Sequence, residues 1–186
     1  MKKEAVVTVL LGILLGGCGN SDTAPETTQG VHFQGRDCLA CHNTDLSEDK
    51  HLYLGGTLFK SASNNPDGLN NVCGGTLYVQ FLNEAYEITY TTASDQDRNS
   101  SGRRGKGNFY VLKRDHTPIA GAYYMQIIND KGVTLAQSNT LHQFNTDPYT
   151  PQSATDFSNR YSCNACHTDG GITAPLYTQF NPSQCQ

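Results

Sequence analysis

The chain has 186 residues, of which 37% are hydrophobic and 16% charged, with 18 Gly and no Trp. That length suits one domain with decorated ends, and so low an apolar share supports a modest core that a buried prosthetic group would reinforce. The formal charge of -4 excludes the basic footprint of a nucleic-acid binder.

Met1-Lys2-Lys3 is a short basic start, and Ala5 to Leu15 is an apolar run interrupted only by Thr8 and Gly12. The run has the length of a signal-peptide core and is too short to span a bilayer. It ends in Leu15-Gly16-Gly17-Cys18, which resembles the bacterial lipobox, where cleavage leaves the cysteine as a lipid-bearing N-terminus. Residues 1–17 therefore read as a lipoprotein signal peptide, and Cys18 as the lipidation site that anchors the chain to a membrane. Gly19 stands where a lipoprotein kept at the inner membrane typically carries Asp, so the expectation is the outer membrane, facing the periplasm or the exterior. Loss of residues 1–17 removes Lys2, Lys3 and Glu4 and leaves 11 basic against 16 acidic residues, net -5. Such a surface favours partners with basic docking patches. Residues 18–30 are small and polar and read as a flexible tether.

Residues 31–50 contain Cys38-Leu39-Ala40-Cys41-His42, and Cys163-Asn164-Ala165-Cys166-His167 repeats the pattern near the other end. Two thiols three residues apart sit on one turn and reach the two vinyl groups along one haem edge, forming thioethers. The histidine after the second cysteine offers its imidazole to iron as proximal ligand. Cys38, Cys41, Cys163 and Cys166 are thus expected to attach two haem c groups, with His42 and His167 as proximal ligands. A zinc site from the same cysteines needs pairs closer than the 125 residues that separate these. A thioredoxin-like pair needs a βαβ setting, which the sequence lacks.

From 51 to 137 the texture is one of short strands. Leu52–Phe59, Cys73–Leu82, Tyr86–Thr92, Asn108–Lys113, Gly121–Asn129 and Val133–Gln137 are alternating, β-branched or aromatic runs. Asn64-Asn65-Pro66-Asp67-Gly68, Ser100-Ser101-Gly102 and Asn129-Asp130-Lys131-Gly132 separate them as turns. Short strands at this spacing predict an all-β sandwich or barrel. Gly55-Gly56-Thr57-Leu58 and Gly74-Gly75-Thr76-Leu77 echo each other over too few residues for a repeat. Asp95-Gln96-Asp97-Arg98-Asn99 lacks the glycine and closing glutamate of a calcium loop and reads as solvated, as does Arg103-Arg104-Gly105-Lys106.

Residues 138–162 read as loop leading into the second haem motif, so 138–186 form the second haem c segment. Elimination leaves Cys73 and Cys185, which should pair in an oxidising compartment; Cα atoms beyond roughly 7 Å would exclude the bond. A low-spin electron carrier also needs a second axial ligand on each iron. His51, between the first haem motif and the first strand, and His142, between the last strand and the second motif, are the distal candidates. His32 ranks third, and which histidine serves which haem is open. His116, in the turn Arg114-Asp115-His116-Thr117-Pro118, reads as a surface residue, and Met125, mid-strand, as packing. Because the termini of a domain often lie close, the two motifs should meet at one edge.

Gly56-Thr57-Leu58, Leu77-Tyr78-Val79, Gly105-Lys106-Gly107-Asn108-Phe109 and Tyr123 to Ile128 before Gly132 resemble the carboxypeptidase-regulatory-like (transthyretin-like) sandwich across residues 51–137. The two pentads resemble those of multihaem c-type cytochromes. These resemblances imply a single β-sandwich flanked by two short haem c-binding segments. They imply an electron-transfer lipoprotein rather than an enzyme, with redox partners that are other multihaem cytochromes and a lipid membrane reached through Cys18. Bis-His ligation gives a lower potential than His/Met ligation. The competing readings are a dihaem peroxidase, whose acid–base groups have no motif here, and an assembly or binding module of a multihaem conduit.

Overall fold

The computed structural model describes residues 34–62, 71–93, 107–117, 119–147, 149–150, 161–168 and 171–185. The signal peptide, Cys18, the tether, His32 and the loops at 95–99 and 103–106 lie outside the described residues. The described chain is mostly β-strand in two sheets, with a few short helical turns. The all-β expectation is met at that level. No helix among the described residues is long and apolar enough to cross a membrane.

The strands are β1 (Leu52–Thr57), β2 (Leu77–Leu82), β3 (Ile88–Ala93), β4 (Asn108–Leu112), β5 (Gly121–Asn129), β6 (Thr134–Gln137) and β7 (His142–Phe144). One sheet is the antiparallel pair β1–β4, in register from Gly56↔Phe109 and Thr57↔Asn108. The other runs β3-β2-β5-β6, with β7 also pairing β5 through Tyr123↔His142. Six of the strands fall on runs that the sequence marks as β. The exception is β7, in a stretch that reads as loop. Three residues are too few to alternate visibly, and of them only Phe144 is buried.

Both sheets feed one apolar core. Leu54, Phe109 and Val111 of the small sheet pack with Leu77, Val79, Phe81, Ile127, Leu135 and Phe144 of the large one. Phe81 meets Phe144 at 5.2 Å and Tyr123 at 5.6 Å, both edge-on, an arrangement that aromatic quadrupoles favour. The expected Cys73–Cys185 bond is formed, with Cα atoms 4.9 Å apart and both cysteines buried. Met125 packs against the core, as its place in a strand suggests.

β1 departs from simple alternation, because all six of its residues are buried. β4 covers one of its edges, and the far end of the chain covers the other. Gly55 N–H donates to the Tyr161 carbonyl (3.2 Å), Thr57 N–H to Asn164 Oδ1 (3.0 Å) and Phe59 N–H to the Leu176 carbonyl (2.8 Å). An edge strand so covered presents no unpaired ladder to another chain. His116 also differs from the surface residue expected. It is half-buried, takes a short hydrogen bond with the Tyr90 hydroxyl and lies 6.2 Å from the Tyr53 ring.

Candidate haem-binding site

Each Cys-x-x-Cys motif is a single helical turn, α1 (Cys38–His42) and α2 (Cys163–Cys166). Asp37 caps α1, its Oδ1 accepting from Leu39 N–H (3.1 Å) and Ala40 N–H (3.3 Å). Asp at an N-cap satisfies donors that the first turn cannot pair internally. At the other end Asn43 closes the turn, its N–H donating to the Leu39 carbonyl. The Asn43 side chain pairs with Leu52 in both directions, at 2.8 and 2.9 Å, and ties α1 to the start of β1. The second motif closes through His167 N–H to the Cys163 carbonyl (2.8 Å) and Thr173 N–H to the Cys166 carbonyl (3.1 Å).

Both turns dock on consecutive glycines of β1. A Cβ on Gly55 would stand 3.2 Å from Cys38 Cβ. A Cβ on Gly56 would stand 2.8 Å from Cys163 Cβ and 2.6 Å from Phe109 Cζ. Only bare backbone lets the two motifs come so close to one strand. The second Gly-Gly echo has a different task, since Gly75 has φ +92° in the turn before β2.

The motifs also bond to each other across the length of the chain. Ser162 Oγ donates to Asp37 Oδ1 through a short hydrogen bond. Asn164 Nδ2 donates to the Arg36 carbonyl (2.8 Å) and to Thr57 Oγ1 (3.0 Å), and lies 3.9 Å from Cys38 Sγ. Thr168 Oγ1 donates to the Gly35 carbonyl at 3.2 Å. Asn164 is 2% exposed and its amide is filled on both sides, so it acts as the shared pin of the two turns. Burial, together with the Asp37 carboxylate, pushes the Cys38 thiol up to about 12. Burial, with Cys38 and Cys166 as neighbours, pushes the Cys163 thiol up to about 12. Cys38 and Cys163 are free thiols, whereas Cys41 is disulfide-bonded. A thioether at Cys41 requires that bond to be reduced first.

The histidine rings are oriented by backbone carbonyls. His42 Nδ1 faces the Lys50 carbonyl at 2.8 Å, His142 Nδ1 the Thr140 carbonyl at 3.1 Å and His167 Nδ1 the Ala174 carbonyl at 3.0 Å. A carbonyl only accepts, so in each neutral ring Nδ1 bears the proton and Nε2 the lone pair. That is the tautomer and outer hydrogen bond of a metal-ligating histidine. His51 is the reverse, with Nε2 facing the Leu46 carbonyl at 3.2 Å. His142 and His167 have ring centres 6.4 Å apart with planes 20° from parallel. Among the described residues no three His, Cys, Asp or Glu side chains gather as a metal cluster.

The sequence signals both pentads and His142, but not the residues that join the pentads. Asp37 is visible in hindsight as an acidic N-cap before a one-turn motif. Ser162, Asn164 and the paired glycines carry no local mark of their task. The residues present fit a haem at each motif, with reduction of Cys41 as the condition at the first. Compared with family models, curated proteins and solved structures, the chain matches none, so its function rests on this site.

Proposed function

We propose that this chain is an electron-transfer lipoprotein with two covalently bound haem c groups, the two haem segments flanking a β-sandwich of the transthyretin-like kind. One observation carries the reading: two Cys-x-x-Cys-His turns lie side by side on Gly55 and Gly56, and the His142 ring lies close to that of His167. Bound haem would supply a one-electron iron couple. In this reading Cys38, Cys41, Cys163 and Cys166 hold the rings, His42 and His167 are proximal ligands, and His142 is the distal partner of His167. His51 and His32 are the candidates opposite His42.

The chain's own groups serve a carrier more naturally than a catalyst. Carbonyls of Lys50, Ala174 and Thr140 fix the imidazoles in one tautomer, which limits rearrangement when charge changes. Asp37, Ser162 and Asn164 hold the motifs together, so the two attachment points keep a fixed relation. Cys18 would tether the domain to the outer membrane, where other multihaem cytochromes would be its redox partners.

The test is to count covalent haems per chain by mass and to record absorption and EPR spectra of the holoprotein. Two haems, both low-spin and inert to carbon monoxide, support the carrier. A high-spin component that binds carbon monoxide or reacts with peroxide replaces it with an enzyme or sensor. A chain that matures without haem refutes the reading altogether.

A further inference from the structure

Asp37 touches both motifs. Its carboxylate accepts from Leu39 N–H and Ala40 N–H of the first turn, from Ser162 Oγ beside the second, and from the Tyr149 hydroxyl (2.5 Å). Every one of these partners is a neutral donor, so none of them brings a compensating positive charge. Among the described residues no lysine, arginine or histidine pairs with it. After burial, its charge is the next cause that raises the Cys38 thiol, and it is the last of the causes acting on Cys163.

We propose that Asp37 is a positioning and potential-setting residue shared by both haems, a single fixed anion that lowers the two reduction potentials together. The inference rests on the dihaem reading. The argument is electrostatic. Reduction takes one positive charge from the iron, so a nearby fixed anion favours the oxidised state. Because Asp37 caps the turn bearing Cys38 and is bonded to the residue preceding Cys163, its charge acts on both couples. The donors around it moderate the charge without cancelling it.

The experiment is a spectroelectrochemical titration of the full holoprotein beside Asp37→Asn and Tyr149→Phe, with haem content counted in each. Asn keeps the N-cap and removes the charge, so both one-electron equilibria should shift toward the reduced form by at least threefold, roughly 28 mV at 59 mV per tenfold. Tyr149→Phe keeps the charge and strips one donor from it, so both potentials should fall. A merely structural role would move the two variants in the same direction. Same-sign shifts, no shift, or a shift confined to one haem would overturn the proposal. If Asp37→Asn does not mature, the sign of the Tyr149→Phe shift decides. A wild-type chain lacking two haems instead sinks the dihaem reading, and the count reveals which of the two has failed.

Discussion

Replacing Gly56 by Ala forces a methyl group into space already taken. The new Cβ would lie 2.6 Å from Phe109 Cζ and 2.8 Å from Cys163 Cβ, and neither atom is the end of a flexible chain. Relief requires Phe109, itself 1% exposed, to leave its place in the core, or α2 to lift off β1. Overpacking of this kind costs about 1–3 kcal/mol. The unfolded-state benefit of Ala over Gly, about 0.4–1 kcal/mol, offsets only part of that. Gly55→Ala is the matched control: its Cβ would meet Cys38 Cβ at 3.2 Å and Leu39 Cδ1 at 3.4 Å, contacts that small shifts relieve. Urea unfolding of the two variants should therefore rank Gly56→Ala as clearly destabilised and Gly55→Ala as within about 1 kcal/mol of the parent. EPR should also place the Gly56→Ala perturbation on the centre held by Cys163 and Cys166. Equal costs, or a larger cost at Gly55, would refute the reasoning that the two motifs dock on these glycines.

Asn164→Ala leaves the Thr57 N–H and the Arg36 carbonyl without their partner in a buried setting, so stability should fall by about 2–4 kcal/mol in denaturant titrations. Paired Cys73→Ser and Cys185→Ser changes open a link spanning 112 residues, and the loss should be about 2–5 kcal/mol, read as a lower urea midpoint. His142→Ala should convert one haem, that of His167, to a high-spin species that binds carbon monoxide, while the His42 centre keeps its spectrum; an unchanged spectrum would remove His142 from the ligand set. Burial holds the Tyr53, Tyr149 and Tyr161 hydroxyls above their ordinary pKa. Their protonated forms are favoured by folding, so this stability is complete below about pH 10 and drains away as pH rises beyond it. Tyrosinate absorbance should accordingly show these side chains ionising only with alkaline unfolding.

The strands were legible because they obey period two. β2 and β5 read from their aromatic and β-branched runs, and the structure pairs them in register from Leu77↔Asn129 to Leu82↔Tyr124. β1 read as a strand for the same reason, but its second buried surface did not, since that comes from segments distant in sequence. The two Cys-x-x-Cys-His pentads were legible because their fixed spacing is rare by chance and falls on a single helical turn. The pairing of Cys73 with Cys185 followed from counting cysteines. Asn164 was illegible, because a variable position inside a Cys-x-x-Cys turn gives no hint that its amide reaches Arg36 and Thr57. The closeness of His142 to His167 needed β7, whose three residues gain their strand geometry only from β5. His116 was misplaced because its burial depends on Tyr53 and Tyr90, both far from it in sequence.

The seating of the last residues along β1 imposes an order on biogenesis. A chain that emerges N-terminus first exposes the first cysteine pair early, while the strand that will receive it still has one bare edge. That edge is filled only when Tyr161–Thr178 arrives, and with it the second pair. Until then both cysteine pairs are open, and the completed fold afterwards leaves Cys38 and Cys163 half-buried. Late closure also leaves β1 exposed to strand pairing between nascent chains, so truncation before residue 161 should give aggregation rather than a smaller folded domain.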